Sequence, residues 1–180
     1  MPQPSSPPSA QLAVLVTELF PKLRRFFASK TQGADEAQDL AQSTIATFLS
    51  REPTVLNDPR KYIWGIAHNK LKRHYDRSGR TFDAEVASLQ HISTTLGTRL
   101  DRKTRLGDAL RQIPLIQQAA IELRFGEGLK LEEIAESTER SLASVKRDIS
   151  TGLATMRKIL GTMDVDEDLG LQVGADYRRG

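Results

Sequence analysis

The 180-residue sequence contains no cysteine, and only 6% of its residues are aromatic. The absence of thiols excludes a disulfide scaffold and thiolate metal sites, and it fits a reducing cytoplasm. With 38% hydrophobic residues, the composition favours modest cores in small helical domains over one large core. No apolar run approaches the roughly 20 residues of a membrane-spanning helix, and the first residues lack the basic-then-apolar order of a signal peptide. We therefore expect a cytoplasmic protein with no membrane insertion.

The sequence also lacks the residue patterns of common catalytic and metal sites. His68 and His74 are six residues apart, which places them on different faces of a helix. There is no HExxH metal-binding motif, no G-x-S-x-G nucleophile motif and no glycine-rich phosphate-binding loop. We therefore expect that the chain is not an enzyme and holds no cofactor or metal.

Positive charge is concentrated in one segment, although the formal net charge is only +3. Residues 60–80 contain seven lysines and arginines and a single acid, Asp76, whereas residues 164–168 read DVDED. Tyr62, Trp64 and Tyr75 are interleaved with the basic residues. Basic side chains bind phosphates, and aromatic faces can stack on unpaired bases. The segment predicts nucleic-acid contact; a solvated charged face, with Trp64 in the core, is the alternative.

Helical spacing recurs along the chain, and no convincing β alternation is present. In the first half, apolar stripes predict helices over about 12–27 and 35–49, and a third helix that Asn57 or Asp58 caps. Periodicity dissolves near residue 79 and resumes near 104. The predicted fold class is all-α, with two small helical domains joined by a flexible linker. The predicted segments are a disordered leader 1–8, a domain 9–78, a linker 79–103, a helix-turn-helix domain 104–161 and an acidic tail 162–180.

Residues 131–151, LEEIAESTERSLASVKRDIST, predict two helices joined by a short turn. Ser141 is the expected cap of the second helix, and Val145 and Ile149 lie on its apolar stripe. The opposite face carries small, polar and basic residues that can approach a major groove. The turn lacks glycine, however, and Asp148 adds a negative charge. Spacing alone leaves open whether the two helices form a DNA reader or part of an ordinary bundle.

Four motifs together resemble the extracytoplasmic-function sigma factors, the smallest class of bacterial promoter-recognition subunits. Three of them are DEAQDLAQSTIATFL (35–49), YIWGIAHNKLKRHYDR (62–77) and LRQIPLIQQAAIELRFGEGLKLEEIAE (110–136). The fourth, SVKRDI (144–149), matches the start of the family's recognition helix only in part. The resemblance extends over about residues 12–160.

The resemblance implies binding to core RNA polymerase and to two promoter elements. Asp39 and Gln42 would lie on a helix that docks on the β′ clamp helices, and the second domain would sit near the β flap. A loop at Arg51–Asp58 would hold a flipped base of the −10 element. The residues implied to contact the −10 DNA are Arg51, Asn57, Arg60, Lys61, Asn69, Lys70, Arg73 and Arg77. Those implied to contact the −35 element are Arg140, Ser144, Lys146, Arg147, Ser150 and Thr151.

The sequence departs from the family pattern at several positions. Tyr62 stands where the family usually has Trp, and Ala143 replaces a common Gly. Asp148, Thr151 and Leu153 occupy places where the family is often Arg, which removes positive charge from the −35 helix. We therefore expect weak −35 binding by the second domain alone. The resemblance also implies an anti-sigma protein as a partner, since such proteins are usual in the family.

Other functional hypotheses remain open at this point. A helix-turn-helix transcriptional regulator that acts without the polymerase core would be a dimer and would bind DNA tightly by itself. The basic helix of the first domain argues against it, because a sensing domain does not need one. A sigma mimic that binds an anti-sigma protein would yield no promoter-dependent transcript. The acidic tail could compete with DNA for basic surfaces or be a plain disordered end.

Overall fold

The computed structural model describes residues 8–51, 58–79 and 99–161, and the regular elements of these residues are all helices. The leader, residues 52–57 of the predicted −10 loop, residues 80–98 of the predicted linker and the tail lie outside the described residues. The all-α fold class is confirmed. The helices are α1 (Pro8–Ala28), α2 (Ala34–Leu49), α3 (Pro59–Arg77), α4 (Arg99–Arg111), α5 (Leu115–Ile121), a π-helical segment (Glu122–Gly126), α6 (Leu131–Ser137) and α7 (Leu142–Leu160).

The chain divides into two compact units between His74 and Tyr75. The division falls inside α3, whereas the sequence pattern places the end of the first domain after residue 78. The second unit's first helix, α4, begins at Arg99, ahead of the position 104 at which the periodicity resumes. Its early residues, RLDRK, carry almost no apolar side chain, so hydrophobic spacing gives no signal for them.

Apolar side chains of three helices form the core of the first unit. α1 packs against α2, and α1 contributes Leu19, Leu23 and Phe27 as fully buried residues. α3 joins this core through its aromatic residues: the rings of Phe26 and Trp64 meet edge to face, with centroids 5.4 Å apart. Edge-to-face pairs add about 0.5–1.5 kcal/mol to the stabilisation from burial alone. α3 is therefore a core helix on one side and is available to solvent on the other.

In the second unit, α7 is the central packing element. It packs against α4, α5 and α6. The residues of its buried face are Val145, Ile149, Gly152, Leu153, Met156 and Leu160. These positions recur at steps of three and four residues, which is the period of one helix face. The stripe predicted from the sequence is confirmed, and the opposite face of α7 is left to solvent.

Candidate nucleic-acid interface

α6, a short turn and α7 form a helix-turn-helix. Two hydrogen bonds close the end of α6: the Arg140 N–H donates to the Ala135 carbonyl at 2.9 Å, and the Glu139 N–H donates to the Glu136 carbonyl at 3.3 Å. This closure places Glu139 in the left-handed region, with a φ of 55°. Glycine usually occupies that position, so the missing glycine noted in the sequence corresponds to a strained Glu139.

The start of α7 is fixed by a side-chain cap. The Ser141 Oγ accepts a hydrogen bond from the Ser144 N–H at 3.1 Å, which satisfies one of the amides that a helix N-terminus leaves unpaired. Ser141 is thus the predicted cap. The hydroxyls of Ser141 and Ser144 also lie 2.8 Å apart, so Ser144 helps to hold the turn as well as lying beside the outward face.

The motif that precedes the turn builds the scaffold of the helix-turn-helix. Arg124 donates from Nη1 to the Leu129 carbonyl at 3.0 Å, which holds the loop before α6. Gly128 has a φ of 74°, where a side chain would be strained. Glu133 accepts a hydrogen bond from the Lys130 N–H at 2.6 Å and so fixes the start of α6. These residues position α7, and none needs to touch DNA to account for the motif.

The outward face of α7 carries the residues predicted to read the −35 element. Lys146, Arg147 and Thr151 are exposed, and Ser150 is half-buried. The Ser150 Oγ donates to the Arg147 carbonyl at 3.0 Å, and Arg147 Nη2 lies 3.5 Å from the Ser144 Oγ. The orientation predicted from the helical period is correct. The DNA contacts of these side chains remain predictions.

Arg140, the remaining residue of the −35 set, forms an ion pair inside the protein. Its Nη2 lies 2.8 Å from Oδ2 of Asp148, and the two side chains are only 24% and 13% exposed. Asp148 therefore neutralises a cation of the turn. Leu153 is 1% exposed and lies in the core. The interpretation that Leu153 removes positive charge from the outward face of α7 is therefore wrong.

α3 carries most of the residues predicted to contact the −10 DNA. Asp58 caps the helix, because its Oδ1 accepts a hydrogen bond from the Lys61 N–H at 3.0 Å. Arg73 and Arg77 are exposed, whereas Lys61 and Asn69 are half-buried. Arg51 is exposed after the end of α2, and Asn57 lies outside the described residues.

Two cations of this set are tied to the other helices of the first unit. Arg60 donates from Nη2 to Glu18 Oε2 on α1 at 2.5 Å, and Lys70 donates from Nζ to Ser43 Oγ on α2 at 2.7 Å. Both partners are surface groups, so both cations stay near solvent. These ties fix α3 against α1 and α2, and they hold Arg60 and Lys70 in place without DNA.

The Arg60 tie has an electrostatic consequence at Glu18. The hydrogen bond from Arg60 lowers the pKa of the Glu18 carboxyl below its ordinary value of 4.5, against an opposing effect of desolvation. Lys22, whose Nζ lies 3.6 Å from Glu18 Oε1, acts in the same direction as Arg60. Glu18 is therefore ionised at neutral pH and bridges two cations.

The predicted stacking aromatics are mostly core residues. Trp64 is 2% exposed and Tyr75 is 5% exposed, so the hypothesis that they stack on bases is wrong. Tyr62 is half-buried, with its ring centroid 6.5 Å from that of Phe48. The sequence carried a signal for Trp64, because it shares a helix face with Ala67, Leu71 and Tyr75 at steps of three and four.

Asp39 and Gln42, the predicted polymerase-binding residues, are both exposed on α2. They are three residues apart, which places them on one side of the helix. Their buried neighbours Ala37 and Ala41 face the core. Asp39 and Gln42 are therefore open to a partner on the outside of α2. Among the described residues no helix is apolar over a length that would cross a membrane, and no cluster of three or more potential metal ligands occurs in that same part of the chain.

Comparisons with known proteins place this arrangement in a family. The family model for sigma-70, region 4, matches residues 103–156, which extend from within α4 to within α7. The RNA polymerase sigma factor SigV of Bacillus subtilis is 30% identical over 154 residues, which cover 82% of this chain and 90% of that protein. In fold, the chain is similar to the sigma factor RpoE from Bartonella quintana, solved in complex with the anti-sigma factor NepR. The TM-score is 0.65 at 20% identity, and the match covers 86% of this chain and 98% of that one.

The helix-turn-helix and these matches define a promoter-recognition subunit of bacterial RNA polymerase. The chain belongs to the extracytoplasmic-function group of the sigma-70 family.

Proposed function

We propose that this sigma factor directs core RNA polymerase to its promoters by binding the −35 element with α7 and the −10 element with α3 and the loop before it. The observation that carries the proposal is the exposed polar and basic face of α7, with Lys146 and Arg147 in its first turns, on a region 4 helix-turn-helix. A solvent-facing helix of this kind fits the major groove, where lysine or arginine can pair with guanine edges.

At the −10 element, α3 would hold the DNA backbone and the preceding loop would capture an extruded base. Arg73 and Arg77 are the exposed members of the predicted set on α3. Arg60 and Lys70 are held at Glu18 and Ser43, so they would reach a phosphate only through their remaining N–H donors or by leaving these partners. Extruding a base costs a few kcal/mol, and its capture offsets that cost. The first unit would therefore stabilise DNA that is already opening.

The core polymerase would provide docking surfaces for both units of this small chain. Asp39 and Gln42 on α2 would dock on the β′ clamp helices, and the second unit would lie near the β flap. With both units tethered on the polymerase, binding at one promoter element raises the effective concentration of the other unit at its own element. Phosphoryl transfer would belong to the core enzyme, so this chain would have no catalytic role, and it would act in the cytoplasm where that enzyme works.

An anti-sigma protein would regulate the chain. The similar RpoE of Bartonella quintana was solved in complex with the anti-sigma factor NepR. We extend that kind of partner to this chain, on which such a protein would cover the polymerase-binding or DNA-binding surfaces. No observation favours the alternative of a regulator that acts without the polymerase core.

Co-purification with core polymerase tests the proposal. The full chain is expected to bind core polymerase, and replacing Asp39 and Gln42 together with Ala should weaken that binding without lowering the thermal stability, because both side chains are exposed. A matched control is Gln38→Ala, another exposed residue of α2. If the full chain fails to bind the core but binds promoter duplex tightly as a dimer, the alternative regulator is correct.

A further inference from the structure

The ion pair between Arg140 and Asp148 joins the helix-turn-helix turn to the side of α7. Arg140 immediately precedes the capping residue Ser141, and Asp148 lies two turns into α7. At 100° per residue, Asp148 shares a side of α7 with Ser144 and lies about 60° from Thr151. The guanidinium is therefore drawn along the edge of the DNA-reading face and away from its centre.

The pair is more sheltered from solvent than a surface ion pair. Its Nη2–Oδ2 distance is 2.8 Å, and the side chains are 24% and 13% exposed. Salt screens a pair that is this sheltered from solvent only weakly, whereas it screens exposed pairs strongly. Among the residues that the structure describes, Asp148 is the one side-chain partner of Arg140. A DNA phosphate would compete with the Asp148 carboxylate for the position of this guanidinium.

Releasing Arg140 would change how the unit binds DNA. Lys146 and Arg147 are exposed on the same helix, and a freed Arg140 would add a third cation at its N-terminal edge. Each phosphate that a protein neutralises releases counterions and contributes about 0.9 to the slope of log K against log salt. That contribution is the same for any DNA sequence, so it raises affinity without adding selectivity.

We propose that Asp148 is a positioning residue that withholds Arg140 from DNA phosphate and thereby limits the intrinsic DNA affinity of the second unit. Arg140 was predicted to be one of the −35 contacts. Here it instead joins the turn to α7 through its ion pair with Asp148. The inference rests on the proposed function, since it assumes that α7 faces the −35 DNA. Its consequence is that stable promoter binding depends on the polymerase, which supplies the contacts that Arg140 does not make.

The test measures binding of the full chain, assembled with core polymerase, to two fluorescent duplexes over a range of salt. One duplex carries a promoter, and the other has the same sequence scrambled at −35. The variants are Asp148→Asn, which removes the charge at nearly constant shape, Arg140→Gln, and the two together. Asp148→Asn is expected to tighten binding to both duplexes alike, by about 5-fold near 0.15 M salt, and to steepen the salt slope by about 0.9.

The Arg140 variants distinguish an arginine held by Asp148 from an arginine that contacts DNA phosphate directly. Arg140→Gln alone should leave the salt slope unchanged, and in the Asp148→Asn background it should abolish the gain. A slope that flattens by about 0.9 in Arg140→Gln alone would overturn the proposal, because Arg140 would then bind phosphate in the natural protein. An unchanged slope in Asp148→Asn would overturn it as well.

Thermal unfolding of the same variants controls for a purely structural role. Both single substitutions break the ion pair and should lower the melting temperature, but only Asp148→Asn should change the salt slope. Equal changes of slope in the two variants would reduce the pair to a structural one and overturn the inference. Failure of the proposed function looks different: the natural chain would then bind the promoter and the scrambled duplex equally well.

Discussion

Gly152 of α7 lies against Ile121 at the end of α5 so closely that a Cβ at position 152 would come within 2.8 Å of the Ile121 Cδ1. Gln117 and Ile113 would each have an atom 3.2 Å from the same Cβ. With a larger residue at position 152, α7 could approach α5 this closely only if these neighbouring side chains shifted. The packing that orients the outward face of α7 depends on this contact.

Replacing Gly152 with Ala should destabilise the second unit. Alanine favours a helix interior by about 1 kcal/mol over glycine, but overpacking a core costs about 1–3 kcal/mol, and here three neighbours would have to move. We expect a net loss of about 1 kcal/mol, measured by thermal unfolding as a melting temperature lower by about 4–8 °C.

Gly107→Ala in α4 is the matched control for that substitution. A Cβ at position 107 would meet only the end of the Arg111 side chain, at 3.8 Å, so the helix-propensity gain should appear and the melting temperature should rise. Equal stabilisation by the two substitutions would show that α7 and α5 are not packed as closely as described.

Glu139→Gly should stabilise the helix-turn-helix. Glu139 has a φ of 55° in the closing turn of α6, and the left-handed conformation costs a non-glycine residue about 1–2 kcal/mol. Removing that strain, less the greater freedom of glycine in the unfolded chain, should add about 0.5–1 kcal/mol to the free energy of unfolding. The measurement is denaturant unfolding.

Glu136→Gly, at an exposed position within α6, is the comparison for Glu139→Gly. Position 136 is helical, so glycine there should destabilise by up to about 1 kcal/mol. Destabilisation by Glu139→Gly of the same size would mean that the turn does not need the left-handed residue.

Trp64, the single tryptophan of the chain, should report the core and not the DNA. Because it is 2% exposed and stacks edge to face on Phe26, its fluorescence should be blue-shifted and protected from iodide. Promoter DNA should leave that emission unchanged, and Trp64→Ala should cost about 3–5 kcal/mol of stability. Strong quenching of Trp64 fluorescence by single-stranded −10 DNA would contradict this prediction and would indicate that Trp64 stacks on a base.

The pairing of Glu18 with Arg60 should be visible in the pH dependence of stability. Because the hydrogen bond from Arg60 lowers the pKa of Glu18 below 4.5, the pair stabilises the folded state fully above that value. The contribution is lost as the pH falls through the lowered pKa. In Arg60→Gln, an NMR titration should find the pKa of Glu18 closer to 4.5, and an unaltered pKa would exclude the pairing in solution.

Arg147→Ala should change promoter selection more than it changes stability. The side chain is exposed on the outward face of α7, so folding does not depend on it. If Arg147 reads a base, its loss should cost about 1–3 kcal/mol of binding and relax selectivity at one −35 position. Arg157→Ala, exposed farther along the same helix, should leave that selectivity intact, whereas an equal loss on all sequences would mark Arg147 as a phosphate contact.

The spacing of apolar and polar residues predicted much of the fold and the orientation of the outward face of α7. The Ser141 cap, the Val145 and Ile149 stripe and the outward Arg147 each follow from spacing within one helix, and the structure has them as the sequence predicts. The tight contact at Gly152 was missed, although a glycine in the middle of a strong helical stripe signals a close approach.

The side-chain partners of the predicted DNA-binding residues could not be read from the sequence. Arg60 and Glu18 are 42 residues apart, and Lys70 and Ser43 are 27 apart. Such pairs depend on how the helices pack against one another, which the helical period does not encode. Arg140 and Asp148 are closer in the chain, but their meeting requires the particular turn that Glu139 makes.

The most direct test of the account is transcription in vitro with purified core polymerase, with and without this chain, on genomic fragments. Adding the chain should give transcripts that start at discrete sites, and scrambling the −35 or the −10 sequence of such a site should remove its transcript. If the chain adds no transcript on any fragment while it binds core polymerase, the assignment of promoter recognition to α3 and α7 is contradicted.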